Sequence, residues 1–144
     1  MANTETQTRI SSSALTSLVS NGATASIVTG NHVTLIDTVQ TERYDRATIQ
    51  IRNEDNSSVL TVAVWGSLFP TTSSSAFPGT VPTSTSHADS YWVQIGDDIT
   101  VAVSSGAIKS ISTTGLRQLA VTAVGSGTQT FPIDNCLMFL QGTI

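Results

Sequence analysis

From about residue 26 onward, apolar and polar side chains alternate with a period of two, the spacing of a strand with one buried and one wet face. In Ala47-Thr48-Ile49-Gln50-Ile51-Arg52, the residues Ala47, Ile49 and Ile51 share one face and Thr48, Gln50 and Arg52 share the other. The polar cluster Asn53-Glu54-Asp55-Asn56-Ser57 then carries turn chemistry, and a valine-rich run from Val59 to Trp65 follows it. That order predicts a hairpin with a loop of about five residues. Four further runs follow, Ser90 to Ile95, Ile99 to Ser104, Ile108 to Ser112 and Leu116 to Val124. Turn residues separate them: Gly96-Asp97-Asp98, Ser105-Gly106 and Thr113-Thr114-Gly115. With Ser26 to Thr29 and His32 to Gln40, the total reaches about eight short strands. This spacing predicts an all-β chain, an antiparallel β-sandwich of jelly-roll-like form, whose strand order the pattern does not reveal.

Three segments depart from the alternation. Residues 1–25 are polar, with one weakly helical patch of Ala14, Leu15, Leu18 and Val19 closed by Asn21-Gly22, and read either as a partly flexible N-terminal arm that orders on a neighbouring surface or as a floppy terminus. A long loop at 66–89 holds Pro70, Pro78 and Pro82 among many Ser and Thr residues. Proline cannot donate to a ladder, and Phe69 and Phe77 imply that this loop packs onto something. The tail from Phe131 is strongly apolar and ends in Cys136-Leu137-Met138-Phe139-Leu140, which must be buried in its own core or against another subunit. Residues 26–144 therefore form one domain, and an arm precedes it.

Composition narrows the function classes. Ser and Thr make up 43 of the 144 residues and charged residues only 11%, yet the hydrophobic content of 39% is organised into β-branched runs that can fold. Six basic against ten acidic residues give a net charge of −4. The nearest approach to a basic cluster, Arg43, Arg46 and Arg52, is interrupted by Glu42 and Asp45, so no nucleic-acid partner is expected. A single cysteine rules out an intramolecular disulfide. The N-terminus lacks the charged start and apolar stretch of a secretory signal, and no run is long enough to span a bilayer. A protein made in the cytoplasm with no membrane partner is expected.

Candidate chemistry is sparse. Only His32 and His87 can act as bases near neutral pH, and no Gly-x-Ser-x-Gly elbow accompanies them. Two isolated histidines and one thiol in an apolar run do not make zinc-ligand spacing, and Asp97-Asp98 lacks the further oxygen ligands of a calcium loop. Gly125-Ser126-Gly127 is not followed by a helix pattern, which removes the dinucleotide reading. No enzyme activity, cofactor, metal or catalytic residue is assigned. The aromatics Trp65, Tyr91 and Trp92 suit a core or a subunit contact, and alternatively a sugar-stacking platform. Leu15, Leu18, Phe69, Phe77, Trp92 and Phe139 are the candidate interface residues.

The polar Ser/Thr-rich arm, the strand pair Tyr44 to Arg52 and Leu60 to Trp65, the low lysine content and the late strand Arg117 to Thr122 together resemble the small β-sandwich proteins of tailed-bacteriophage virions, in particular the head decoration or cement class. That resemblance implies a structural virion protein, often a homotrimer, that binds the major capsid protein or other virion proteins across capsomer junctions and reinforces the shell. It further implies a mechanism of shape-complementary burial and strand addition at sheet edges. Two other readings stay open. One is a tail, neck or fibre component of the phage particle, and the other is a carbohydrate-binding or adhesion module using outward Trp65 or Trp92.

Overall fold

A computed structural model of the chain describes residues 5–10, 24–30, 32–42, 44–69, 92–132 and 135–143. Eleven strands run through them: β1 (Glu5–Ile10), β2 (Thr24–Ile27), β3 (Val33–Gln40), β4 (Arg46–Asn53), β5 (Leu60–Ser67), β6 (Val93–Gln94), β7 (Ile99–Val101), β8 (Ser105–Ser112), β9 (Gln118–Gly125), β10 (Gln129–Pro132) and β11 (Cys136–Thr143). They form a four-stranded sheet in the order β1-β11-β4-β8, a five-stranded sheet β3-β9-β5-β6 with β7 also on β5, and a short β10-β2 ladder.

The pairings nest. β1 pairs with β11, β2 with β10, β3 with β9, β4 with β8, and β5 with both β6 and β7, all antiparallel. This is one long hairpin rolled up on itself, closed by β11 against β4 and β9 against β5. A hairpin rolled in this way into two sheets is a jelly roll. Taking β6 and β7 as one interrupted strand and setting aside the β2–β10 ladder leaves the eight strands of that fold, so the sandwich expected from the alternation is present.

Between the sheets lies one apolar core. β4 contributes Ala47, Ile49 and Ile51, and β11 contributes Cys136, Met138 and Leu140. Leu60, Val62 and Val64 of β5 and Leu119, Val121 and Ala123 of β9 meet them from the other sheet, with Ile27 and Phe131 from the short ladder. Each large aliphatic side chain so buried contributes about 1.5–3 kcal/mol. The apolar C-terminal run is therefore a central strand of its own chain's core, held between β1 and β4.

Several expectations need correction. The run Val59 to Trp65 does not make a hairpin with the strand before it: β4 pairs with β8 and β11, while β5 pairs with β9, β6 and β7. The polar cluster from Asn53 is instead a crossover from one sheet to the other. Asn53, itself buried, is the pin: its Nδ2 donates to the carbonyls of Ser58 (2.8 Å), Val101 (3.3 Å) and Ala102 (3.2 Å), and its Oδ1 accepts from the Asp55 amide (3.1 Å). Asp55 orders the next turn by accepting from the Ser57 and Ser58 amides and the Ser57 hydroxyl, which hold its carboxyl below the usual carboxylate range. Within the segment read as an arm, Glu5–Ile10 is an edge strand on β11. Among the described residues of the run Ser90 to Ile95, Val93–Gln94 is strand. The helical patch around Leu15 and Leu18 lies outside the described residues.

The sheet edges differ in regularity. β3 departs from β9 at two register shifts, between Thr34 and Ile36 and between Ile36 and Val39, and such bulges discourage another strand from adding. β8 keeps unbroken register with β4 over all eight residues. Its Lys109 turns off the outer face toward the turn at Gly96, where a Cβ would stand 3.7 Å from Nζ. An inward-turned charge is another way to blunt an edge.

Candidate docking face

The two sheets present opposite kinds of outer surface. On the five-stranded sheet the outer positions Ala63 and Trp65 of β5 and Ala120 of β9 are buried, and Trp92 completes this second cluster. Trp65 Nε1 donates to Thr122 Oγ1 at 2.9 Å, and His32 Nδ1 lies 3.0 Å from the same hydroxyl. The imidazole also stands edge-on to the Trp65 ring, with centroids 6.4 Å apart and planes at 86°. An indole N–H can only donate, so Thr122 accepts from Trp65 and its own proton is free for a neutral His32 Nδ1.

Burial lowers the His32 pKa from 6.5, and the charge of Asp98 opposes that shift only in part. Below pH 6.5 the unfolded chain takes up a proton that the folded chain refuses, so stability rises with pH in that window and is lost as pH falls toward the folded pKa. Urea unfolding midpoints are accordingly expected to drop between about pH 7.5 and pH 5.5, and His32→Gln is expected to flatten that part of the profile. An unchanged profile in the variant shows that His32 is not the group responsible.

Across β11, β4 and β8 the outer surface of the four-stranded sheet is open. Register places Arg46, Thr48, Gln50 and Arg52 of β4 on it, beside Ile108, Ser110 and Ser112 of β8 and Leu137, Phe139 and Gln141 of β11. Ile108 is 67% exposed and Phe139 40%. The hydroxyls of Thr48 and Ser110 are hydrogen-bonded across the strands at 2.8 Å. Arg52 meets Glu54 at 3.5 Å, with both side chains largely solvated, a pair that adds little to stability. Where the strands end, Gln50, Arg52, Glu54, Ser104, Ser105 and Gly106 line an open groove of about 580 Å³ continuous with this face. Arginine with exposed aromatic and aliphatic side chains is the composition of contact surfaces, which are depleted in lysine and carboxylates.

Only part of the candidate interface set reaches the surface. Phe139 lies on the open face. Phe69 is 48% exposed, but it follows β5 in the other sheet, where its carbonyl accepts from the buried Gln118 amide at 2.6 Å. Trp92 is a correction: it is fully buried against Trp65, so it is core and makes no surface contact. Neither indole is available as an outward sugar platform, because both are buried. Leu15, Leu18 and Phe77 lie outside the described residues. Ile108 is the residue that sequence reading passed over. Its signal was present, since it falls in the outward series Gly106, Ile108, Ser110, Ser112 while Ile111 faces the core.

Nothing in the described residues gathers three or more His, Cys, Asp or Glu side chains into a possible metal site. Burial pushes the Cys136 thiol up to about 12, so it stays protonated and unreactive near neutral pH. No protein family model, curated protein or solved structure matches this chain.

Proposed function

We propose that the protein is a structural component of a bacteriophage particle, decorating or cementing the capsid by binding across capsomer junctions without a chemical step. The observation that carries this reading is the contrast between the two sheets: on the outer side of one, Trp65 and Trp92 are buried, and the other is left open with Phe139 and Ile108 between Arg46 and Arg52. A jelly roll with one unsealed sheet suits assembly, because a flat β face can bury area against a neighbour without rearranging. The sequence resemblance supplies the class of particle, and the fold is one that viral shell proteins use, an analogy at the level of fold. The bound partner is then the major capsid protein, or another virion protein at the same junctions.

Cosedimentation with emptied, undecorated capsids of the phage that carries the coding sequence tests the reading. Binding is expected to saturate at a fixed number of copies per capsomer junction. An absence of binding at micromolar protein, with the fold intact by circular dichroism, overturns it.

A further inference from the structure

The open face and the β6–β7 edge of the same chain are complementary in charge and alike in apolar character. On the face, Arg46 and Arg52 stand at outer positions of β4, and no outer position of β4, β8 or β11 holds a carboxylate. Glu54, just past the end of β4, offsets Arg52. Arg46 has no ion-pair partner among the described residues. On the edge, Asp97 and Asp98 are exposed at the turn between β6 and β7. Exposed Val93 (65%) precedes them and Val103 (38%) follows. Lys109 approaches this turn from β8 and offsets part of its charge. Gln94 Nε2 donates to Asp98 Oδ1 at 2.7 Å, and Asp97 has no hydrogen-bonded side-chain partner among the described residues.

We propose that these two surfaces pair between copies: the open face of one copy docks on the β6–β7 edge of the next, and the chain closes into a ring. The proposal rests on the assignment of the open face to assembly and names its first partner, a second copy. With a net charge of −4, two copies repel each other in most orientations, and turning an arginine-bearing face onto an acidic edge reverses the sign locally. Ile108 and Phe139 then meet Val93 and Val103, which supplies apolar burial between the charges. The three strands β11, β4 and β8, about 4.8 Å apart and eight residues long at about 3.4 Å each, give a face of roughly 390 Å² in projection, about half of the roughly 800 Å² per partner in a stable interface. Because the paired surfaces differ, the contact is head-to-tail and must close as a ring to stay finite.

A charge-reversal cycle tests this on the full chain, with solution mass read by light scattering over a hundredfold concentration range. Wild type is expected to be an oligomer. Arg46→Glu and Asp97→Arg are each expected to weaken association at least tenfold by setting like charges opposite one another, and the double variant to recover to within a few-fold of wild type. Both positions are solvent-exposed, and thermal midpoints close to wild type confirm that each variant folds. A wild-type monomer at every concentration, single variants that keep their mass, or a double variant that does not recover each overturns the pairing. Capsid cosedimentation of the same samples separates this outcome from the wider reading: capsid binding by a monomer leaves the virion role standing and removes only the ring.

Discussion

Replacing Asn53 by aspartate is expected to lower the free energy of unfolding by about 3–5 kcal/mol, the cost of leaving a charge buried without a partner. The two side chains have nearly the same shape, so the loss reports hydrogen-bonding chemistry and not volume. At Asn53 an amide faces three carbonyl oxygens, and the backbone N–H of Asp55 fixes which end is oxygen. A carboxylate keeps the Asp55 contact, loses both N–H donors and sets negative charge against the Ser58, Val101 and Ala102 carbonyls. Protonation restores one donor, so the deficit is expected to shrink as pH falls toward 4. Asn53→Ala removes the donors without adding charge and is expected to cost about 1–3 kcal/mol. Urea denaturation followed by tryptophan fluorescence measures all three chains. An Asn53→Asp variant within 1 kcal/mol of wild type at pH 7 shows that the crossover is held by something other than this amide.

The same residue marks where sequence reading stops. Alternation in Ala47 to Arg52 reports that one face is buried, and β4 obeys it. Alternation carries no information on which strand lies next door, and a polar cluster after a strand serves a tight hairpin and a crossover equally well. The decision rests on long-range groups, the carbonyls of Val101 and Ala102, which are brought to Asn53 only when β7 is already in place. Trp92 fails to be legible for a related reason. An indole beside Tyr91 and a polar loop has the local signature of a surface contact, whereas its burial with Ala63, Trp65 and Ala120 involves two other strands distant in sequence. By contrast, the burial of Cys136, Met138 and Leu140 was legible, because so much apolar area at a chain end has few places to go. The choice between its own core and another subunit followed from pairing with β4.

Trp92→Ala is expected to destabilise the fold by about 3–5 kcal/mol, the range for removing a large aromatic side chain from a packed site. Small domains hold only about 5–15 kcal/mol in total, so this is a large share. The reason is local: Trp92 is completely buried, in one cluster with Trp65 and the small side chains of Ala63 and Ala120. Loss of the ring also opens Trp65 and the Thr122 hydroxyl it binds, so Trp65 emission is expected to shift to the red before global unfolding. Ile108→Asp, on the open face, is expected to change stability by no more than about 0.5 kcal/mol, as for surface sites in general, and to weaken self-association instead. Read by thermal unfolding and by solution mass, the two substitutions separate fold from assembly. A Trp92→Ala variant with wild-type stability and lost association places the indole at an interface and makes the five-stranded sheet the docking side. The opposite pattern, stability lost at Trp92 and association lost at Ile108, assigns the sealed sheet to folding and the open sheet to contact.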